Sequence, residues 1–393
     1  MNNFTDGHSA DIINVVDEFD YSTQHSSYNT EFIKWRKQRN NPFTFNFRAN
    51  QREIVYIEGR GFVARYPLEE ENDVLSKIFY TLGLAALIWL VIDTIAVKLV
   101  AQVLSIFGFS IHTTIFNSSL YGGSAEIVSL IIASSLLKVL VPTIFLNSKF
   151  KVPKNVRKMD KMTHPIGLVL ALSMTLILCT INFLPKAYSN DTREIYAYFS
   201  TLNTDVEMWG QMEVVIYSLF DIVIMSILSE LFFRGAMFAV LRQFGDPFAI
   251  LITSITAAML TTDLREAIPV FFLSLIASYG MLRSGSIFTA MSVSVIYKMY
   301  ELAITLLEVD PSEDMPLTRN FFILIVFITG AILLFIAWLI DKNGTDDESP
   351  AHGLAIFTSK QTFGMRVFNS VKIFPYSAVA AVCFVYAIIK LVY

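Results

Sequence analysis

The sequence predicts an all-α polytopic membrane protein of about nine transmembrane helices, or eight if the last apolar segment stays at the membrane surface. Three observations carry this. Of 393 residues, 54% are hydrophobic and only 16% charged, well away from the balance of a soluble globular domain. Several apolar stretches reach the ~20 residues that carry a helix across a bilayer. Lysine and arginine, finally, collect in alternate connections between those stretches, the pattern that fixes orientation in a membrane.

The first 76 residues read as a polar N-terminal tail, too long before the first apolar stretch for the basic region of a cleaved signal peptide, so the tail is expected to stay on the protein. Within it, "REIVYIEGRGFVARY" (52–66) alternates around Gly59 and Gly61 and suggests a short β-hairpin. The basic, aromatic run "FIKWRKQRNNPFTFNFR" (32–48) is weighed between a nucleic-acid surface and a face resting on anionic headgroups. Beside a membrane the headgroup reading is preferred and no nucleic-acid partner is expected. The membrane domain then spans 77–340. Its expected helices are 78–97 (with a continuation toward 107), 127–146, 165–184, 212–243, 247–262, 268–282, 286–307 and 321–340. The fourth is too long to stand upright in a bilayer, and the fifth and sixth are short. A connection over 341–373 follows, containing "FGMRVFNSVKIF", which reads as an interfacial amphipathic helix, and 374–393 forms the last candidate span.

Nine basic residues lie between Lys34 and Lys77 and six between Lys149 and Lys161, while the connection 108–126 has none. That alternation puts the N-terminus on the cytoplasmic side. Cys179 and Cys383 both sit inside apolar segments and behave as small hydrophobes, so no disulfide framework is indicated. No internal repeat is evident, which counts against a transporter built from duplicated halves.

The chemistry concentrates in "SILSELFFRGAMF" (226–238), where Glu230 and Arg234 lie one helical turn apart in an apolar run. Ser226, Glu230, Arg234 and Met237 share a face at 3.6 residues per turn, and Asp221 falls nearly opposite. Ionisable groups inside a membrane are costly and face a bundle interior or a watery cavity. A pair that only fixes helix packing and a pair that serves a site are both compatible with this feature. Counting ~1.5 Å per residue from the presumed cytoplasmic helix ends, Glu230, Thr261 and Lys298 fall at similar depths, with Ser294 and Arg234 somewhat nearer that end. Ser294, Lys298 and Glu301 also share one face, so a cluster of Glu230, Arg234, Lys298 and Glu301 is expected, with the Lys298 ammonium pairing Glu230.

"SELFFRG", followed by "AILITSITAAMLT" and "GSIFTAMSVSVIYK", resembles the three-motif core of the CPBP family, the CAAX prenyl protease type 2 and bacteriocin-processing intramembrane proteases. The resemblance covers about 212–307. It implies that Glu230 and Arg234 are the carried-over catalytic residues, that zinc could serve the family's chemistry, and that the partners are the lipid bilayer and a small peptide or lipidated protein. It also implies residence in a bacterial cell membrane. The departures are as informative: the first motif's leading Glu is Ser229, the second motif's Phe and His align with Ala257 and Thr261, and the third motif's His and Asn align with Ser294 and Lys298. All five histidines (His8, His25, His112, His164, His352) lie outside the core spans. A zinc site needs about three protein ligands, so no metal or other cofactor is expected. The leading expectation is a catalytically impaired protein binding a peptide or lipidated segment in an intramembrane cavity. The alternatives are an active but divergent protease using Glu230 with Lys298 or Ser294, and a small-molecule permease.

Overall fold

The computed structural model describes residues 26–38, 40–45, 53–57, 61–65, 67–113, 120–183, 210–309, 315–343 and 361–392. Helix α1 (Ser26–Arg36) is followed by strands β1 (Glu53–Ile57) and β2 (Gly61–Arg65), which pair antiparallel. Helix α2 (Pro67–Val91) continues through a π-helical turn, Ile92–Ala96, into α3 (Val97–Ile106). It starts about three turns before the apolar stretch itself, because Glu69 and Glu70 in its first turn complement the positive end of the helix dipole. Strands β3 (His112–Thr113) and β4 (Leu120–Tyr121) precede α4 (Ser124–Phe150), the short α5 (Lys154–Lys158) and α6 (Pro165–Phe183).

One long helical column then runs from residue 211 to 244. It comprises α7 (Gln211–Leu219), a π-helical segment Phe220–Met225, α8 (Ser226–Glu230), a second π-helical segment Leu231–Phe238, α9 (Ala239–Leu241) and a closing 3₁₀ turn, Arg242–Phe244. Helices α10 (Asp246–Leu260), α11 (Leu264–Ser284), α12 (Ile287–Val309), α13 (Met315–Asn343), α14 (Phe363–Val371) and α15 (Tyr376–Val392) complete the order. Among the described residues six helices are long and apolar enough to cross a membrane, or seven if the α14–α15 pair, bent by 80°, is one span; α6 and α10 are apolar but shorter. The chain is therefore an integral, polytopic membrane protein.

Lipid gives helices little hydrophobic reason to associate, so close packing must do the work. Small residues supply it. A Cβ on Gly83 would come 2.3 Å from the Tyr376 backbone nitrogen, and one on Gly280 2.4 Å from Ala171 Cβ. Those contacts press α2 onto α15 and α6 onto α11. The outer surface is apolar where it should meet acyl chains, with Ile325, Phe335 and Trp338 of α13 exposed.

Part of the basic, aromatic run of the tail packs into the protein, while Lys34 and Lys37 stay exposed. Phe32, Trp35, Arg36 and Phe45 are fully buried against the membrane domain. Backbone acceptors explain the docking: Trp35 Nε1 donates to the Phe150 carbonyl (3.3 Å), and Arg36 donates through Nε and Nη2 to the Phe45 carbonyl. The base of the long column holds the same segment by side-chain amide, Gln243 accepting from Phe45 N–H and donating to the Phe43 carbonyl, both at 2.8 Å. Arg242 pairs with Asp246 at 2.6 Å and donates to the Tyr28 hydroxyl, whose pKa burial pushes up so that it remains a neutral acceptor. Arg366 of α14 donates to the Phe244 carbonyl at 3.2 Å and pairs with buried Glu71 at 2.6 Å, while Phe363, Met365 and Phe368 of the same helix stay exposed.

Candidate functional site

Glu230 closes α8 and Arg234 lies in the π-helical segment that follows; the two residues are 4% and 3% exposed. Neither charge can be left alone at that burial. Arg234 Nη1 sits 3.1 Å from Glu230 Oε1 and 3.0 Å from Oε2, so one guanidinium nitrogen spans both carboxylate oxygens. The other, Nη2, donates to the carbonyl and the hydroxyl of Ser274 on α11, both at 2.7 Å. Ser294 of α12 donates its hydroxyl to Glu230 Oε1 at 2.5 Å. Charge-assisted bonds of this kind are shorter and roughly twice as strong as neutral ones. The result is a four-residue network that ties the long column to α11 and α12. Aromatic rings seal it: Trp89 of α2 leans on Phe232 and Phe233, with centroids 5.1 and 5.9 Å away, and Phe233 lies under the guanidinium at 5.9 Å.

The expected single charge cluster is divided in two. Lys298 does not pair with Glu230; its ammonium is 3.4 Å from Asp221 Oδ2 and 3.4 Å from Glu301 Oε2. This second tier is looser and wetter, with Lys298 37%, Asp221 21% and Glu301 19% exposed. Asp221 reaches Lys298 because of the π-helical segment over 220–225. Nine residues at about 100° each put Asp221 some 180° from Glu230, and one residue absorbed by a wide turn takes about 100° off that separation. Both carboxylates thus face α12, where Ser294 and Lys298 stand one turn apart.

The second motif fares differently. Helix α10 ends at Leu260, so Thr261 is its cap residue and spends its hydroxyl on the carbonyls of Ala258 (2.7 Å) and Asp263 (3.3 Å). The third helix of the network is α11, through Ser274, and not α10. Ser229, at the first motif's leading position, bonds back to the Ser226 carbonyl of its own column at 2.9 Å. Gly235 is not a steric necessity, since a Cβ there would meet nothing nearer than 3.8 Å.

Sequence reasoning missed Ser274 and set Asp221 aside. A signal for Ser274 existed: "SLIAS" places Ser274 and Ser278 one turn apart on an otherwise apolar helix, the kind of hydroxyl that bonds across helices in a membrane. Asp221 could be recovered only by knowing that the helix widens.

Zinc takes about three nitrogen, sulfur or oxygen ligands from protein. Glu230 Oε1 is spent on a guanidinium and a hydroxyl, Oε2 lies against the same guanidinium, and among the described residues no three His, Cys, Asp or Glu side chains come together. His164 lies just before α6 and does not join the network; His112 falls in β3, and His8, His25 and His352 are outside the described residues. This donor set does not fit a zinc centre.

Residues 211–300 match the family described as type II CAAX prenyl endopeptidase, Rce1-like, over less than a quarter of the chain. The match contains the whole of both charge tiers except Glu301. No curated protein and no solved structure matches the chain. What stands is an integral membrane protein with a CPBP-like segment, in which three of the motif positions, Glu230, Arg234 and Ser294, meet in a buried ion-pair network.

Proposed function

We propose that this protein is a non-cleaving relative of the intramembrane endopeptidases it resembles, one that binds a peptide or lipidated segment within the membrane. The observation that carries the reading is the buried ion pair that engages Glu230 with Arg234. A carboxylate that activates water needs a lone pair aimed at that water and space for it. Here Oε1 accepts from both Arg234 Nη1 and the Ser294 hydroxyl, and Oε2, buried and without a hydrogen bond of its own, lies 3.0 Å from the same guanidinium nitrogen. The same geometry weighs against the divergent alternative, a Ser294 nucleophile activated by Lys298: that hydroxyl donates to Glu230, and the lysine is held between two other carboxylates. The segment-binding half rests on the match to a family named for a prenylated substrate.

We further read the chain as nine spans with the N-terminus inside a bacterial cell. The six long helices, α6, α10 and the bent α14–α15 pair add up to that number, and basic residues gather on the side where α1, the base of the long column and α14 meet.

The test is incubation of the purified full-length protein with a pool of membrane and farnesylated peptides, read by mass spectrometry and by photo-crosslinking. The expected outcome is saturable crosslinking without any cleavage that depends on Glu230. Reproducible products that vanish in Glu230→Ala overturn the non-cleaving half; absence of saturable capture overturns the binding half.

A further inference from the structure

Where α4 ends at Phe150, the chain turns sharply: Lys151 takes a left-handed backbone (φ 52°) and its N–H returns to the Asn147 carbonyl. The turn leaves Ser148, Lys149 and Lys151 on one wall of a cleft of about 930 Å³, with Gln38, Asn40 and Phe43 of the tail on the other. Two lysines and three residues with side-chain amides line this space, and no carboxylate is among its described lining residues. The tail wall is fixed. Phe43 packs edge-on against Phe150 at 5.0 Å, its carbonyl is taken by Gln243, and the neighbouring Asn41 amide donates to the Phe150 carbonyl at 3.2 Å.

Donors and cations arranged this way suit a phosphate group. Below the cleft, Leu137, Val141, Ile144 and Ser148 recur at helical spacing on one face of α4. The three apolar members are exposed, Ile144 at 65%. A lipid-facing stripe therefore leads directly into the cationic cleft, and a free phosphate would make no use of it. We infer that this cleft binds the headgroup of an anionic phospholipid, with an acyl chain running down the Leu137–Val141–Ile144 stripe and the phosphate between Lys149 and Lys151. The site lies outside the matched segment and does not depend on the reading of Glu230. Its occupant would brace the joint between the tail and the first half of the bundle, since both walls belong to different parts of the chain.

The test uses the full-length protein in detergent, with phosphatidylglycerol and phosphatidylcholine of equal chain length as probes, and counts retained lipid by native mass spectrometry. Phosphatidylglycerol is expected to be retained in preference, and Lys149→Gln with Lys151→Gln should lower that retention on the order of tenfold, from two lysines near a headgroup phosphate. Lys154→Gln with Lys158→Gln removes the same charge from exposed positions beside the cleft and should leave the preference intact. Equal retention of the two lipids, or an equal loss in the second variant pair, overturns the site. Displacement of the lipid by millimolar glycerol phosphate overturns the lipid assignment in favour of a free phosphate anion.

Discussion

Replacing Glu230 by leucine while leaving Arg234 in place should be more damaging than replacing both. Arg234, 3% exposed, would keep Ser274 as acceptor but lose the anion 3.0 Å away. Removing one partner of a buried pair costs about 3–5 kcal/mol, whereas exchanging both for apolar groups of similar volume is close to neutral. Glu230→Leu and Arg234→Met are each expected in the 3–5 range, a large share of the ~5–15 kcal/mol that holds a protein folded. In the double variant the serines lose their charged partners, but hydroxyls on helices can bond back to a carbonyl one turn earlier. About 1 kcal/mol per lost hydrogen bond then remains. The double variant should therefore be more stable than either single one. Unfolding of the purified proteins in mixed micelles, titrated with a denaturing detergent and followed by circular dichroism, measures this order. Single variants within about 1 kcal/mol of the parent would mean that water reaches the pair, and a double variant as unstable as the two singles summed would mean that the pair is not coupled; either refutes the argument.

Charge exchange separates the two tiers: Asp221→Lys with Lys298→Asp should recover much of the folded yield lost by Lys298→Asp alone, and Glu230→Lys with Lys298→Glu should recover none, read as the monodisperse fraction after solubilisation. Gly83→Ala should displace α15, because the added Cβ would fall 2.3 Å from the Tyr376 nitrogen; a lowered midpoint of thermal unfolding checks this, and an unchanged midpoint contradicts it. Gln243→Leu orphans the Phe43 carbonyl and the Phe45 N–H, a cost of about 1–3 kcal/mol each if they stay buried, and should speed protease cutting around residues 38–45 while the rest of the chain stays resistant.

The long apolar runs are legible in one sequence because a bilayer demands so many consecutive apolar residues, and each expected segment has a helix at its centre. Their ends are less legible. Helix α2 begins at Pro67 among charged residues, and α10 stops at Leu260, one residue before the position that was to supply a polar partner. In the site, the Glu230–Arg234 pair is legible from helical periodicity, and Ser294 from its depth on α12, although the expected partner on that helix was Lys298. Lys298 could not be paired correctly from the same rules. Its choice between Glu230 and Asp221 depends on helical phase, and that phase is set by hydrogen bonds over 220–225 that leave no mark in residue type. The burial of Trp35 and Arg36 was likewise hidden, since their acceptors are backbone carbonyls at Phe150 and Phe45.

The wide turn over 220–225 also bears on how this chain is to be compared with others. A relative whose corresponding helix is regular throughout would present the outer half of that helix one position out of step. An ungapped alignment through the segment would then set Asp221 against a residue on a different face, and the apparent loss or gain of an acidic partner for Lys298 would be an artefact of bookkeeping. Allowing a single-residue gap within 220–225, and none between Ser226 and Glu230, is the comparison the geometry recommends.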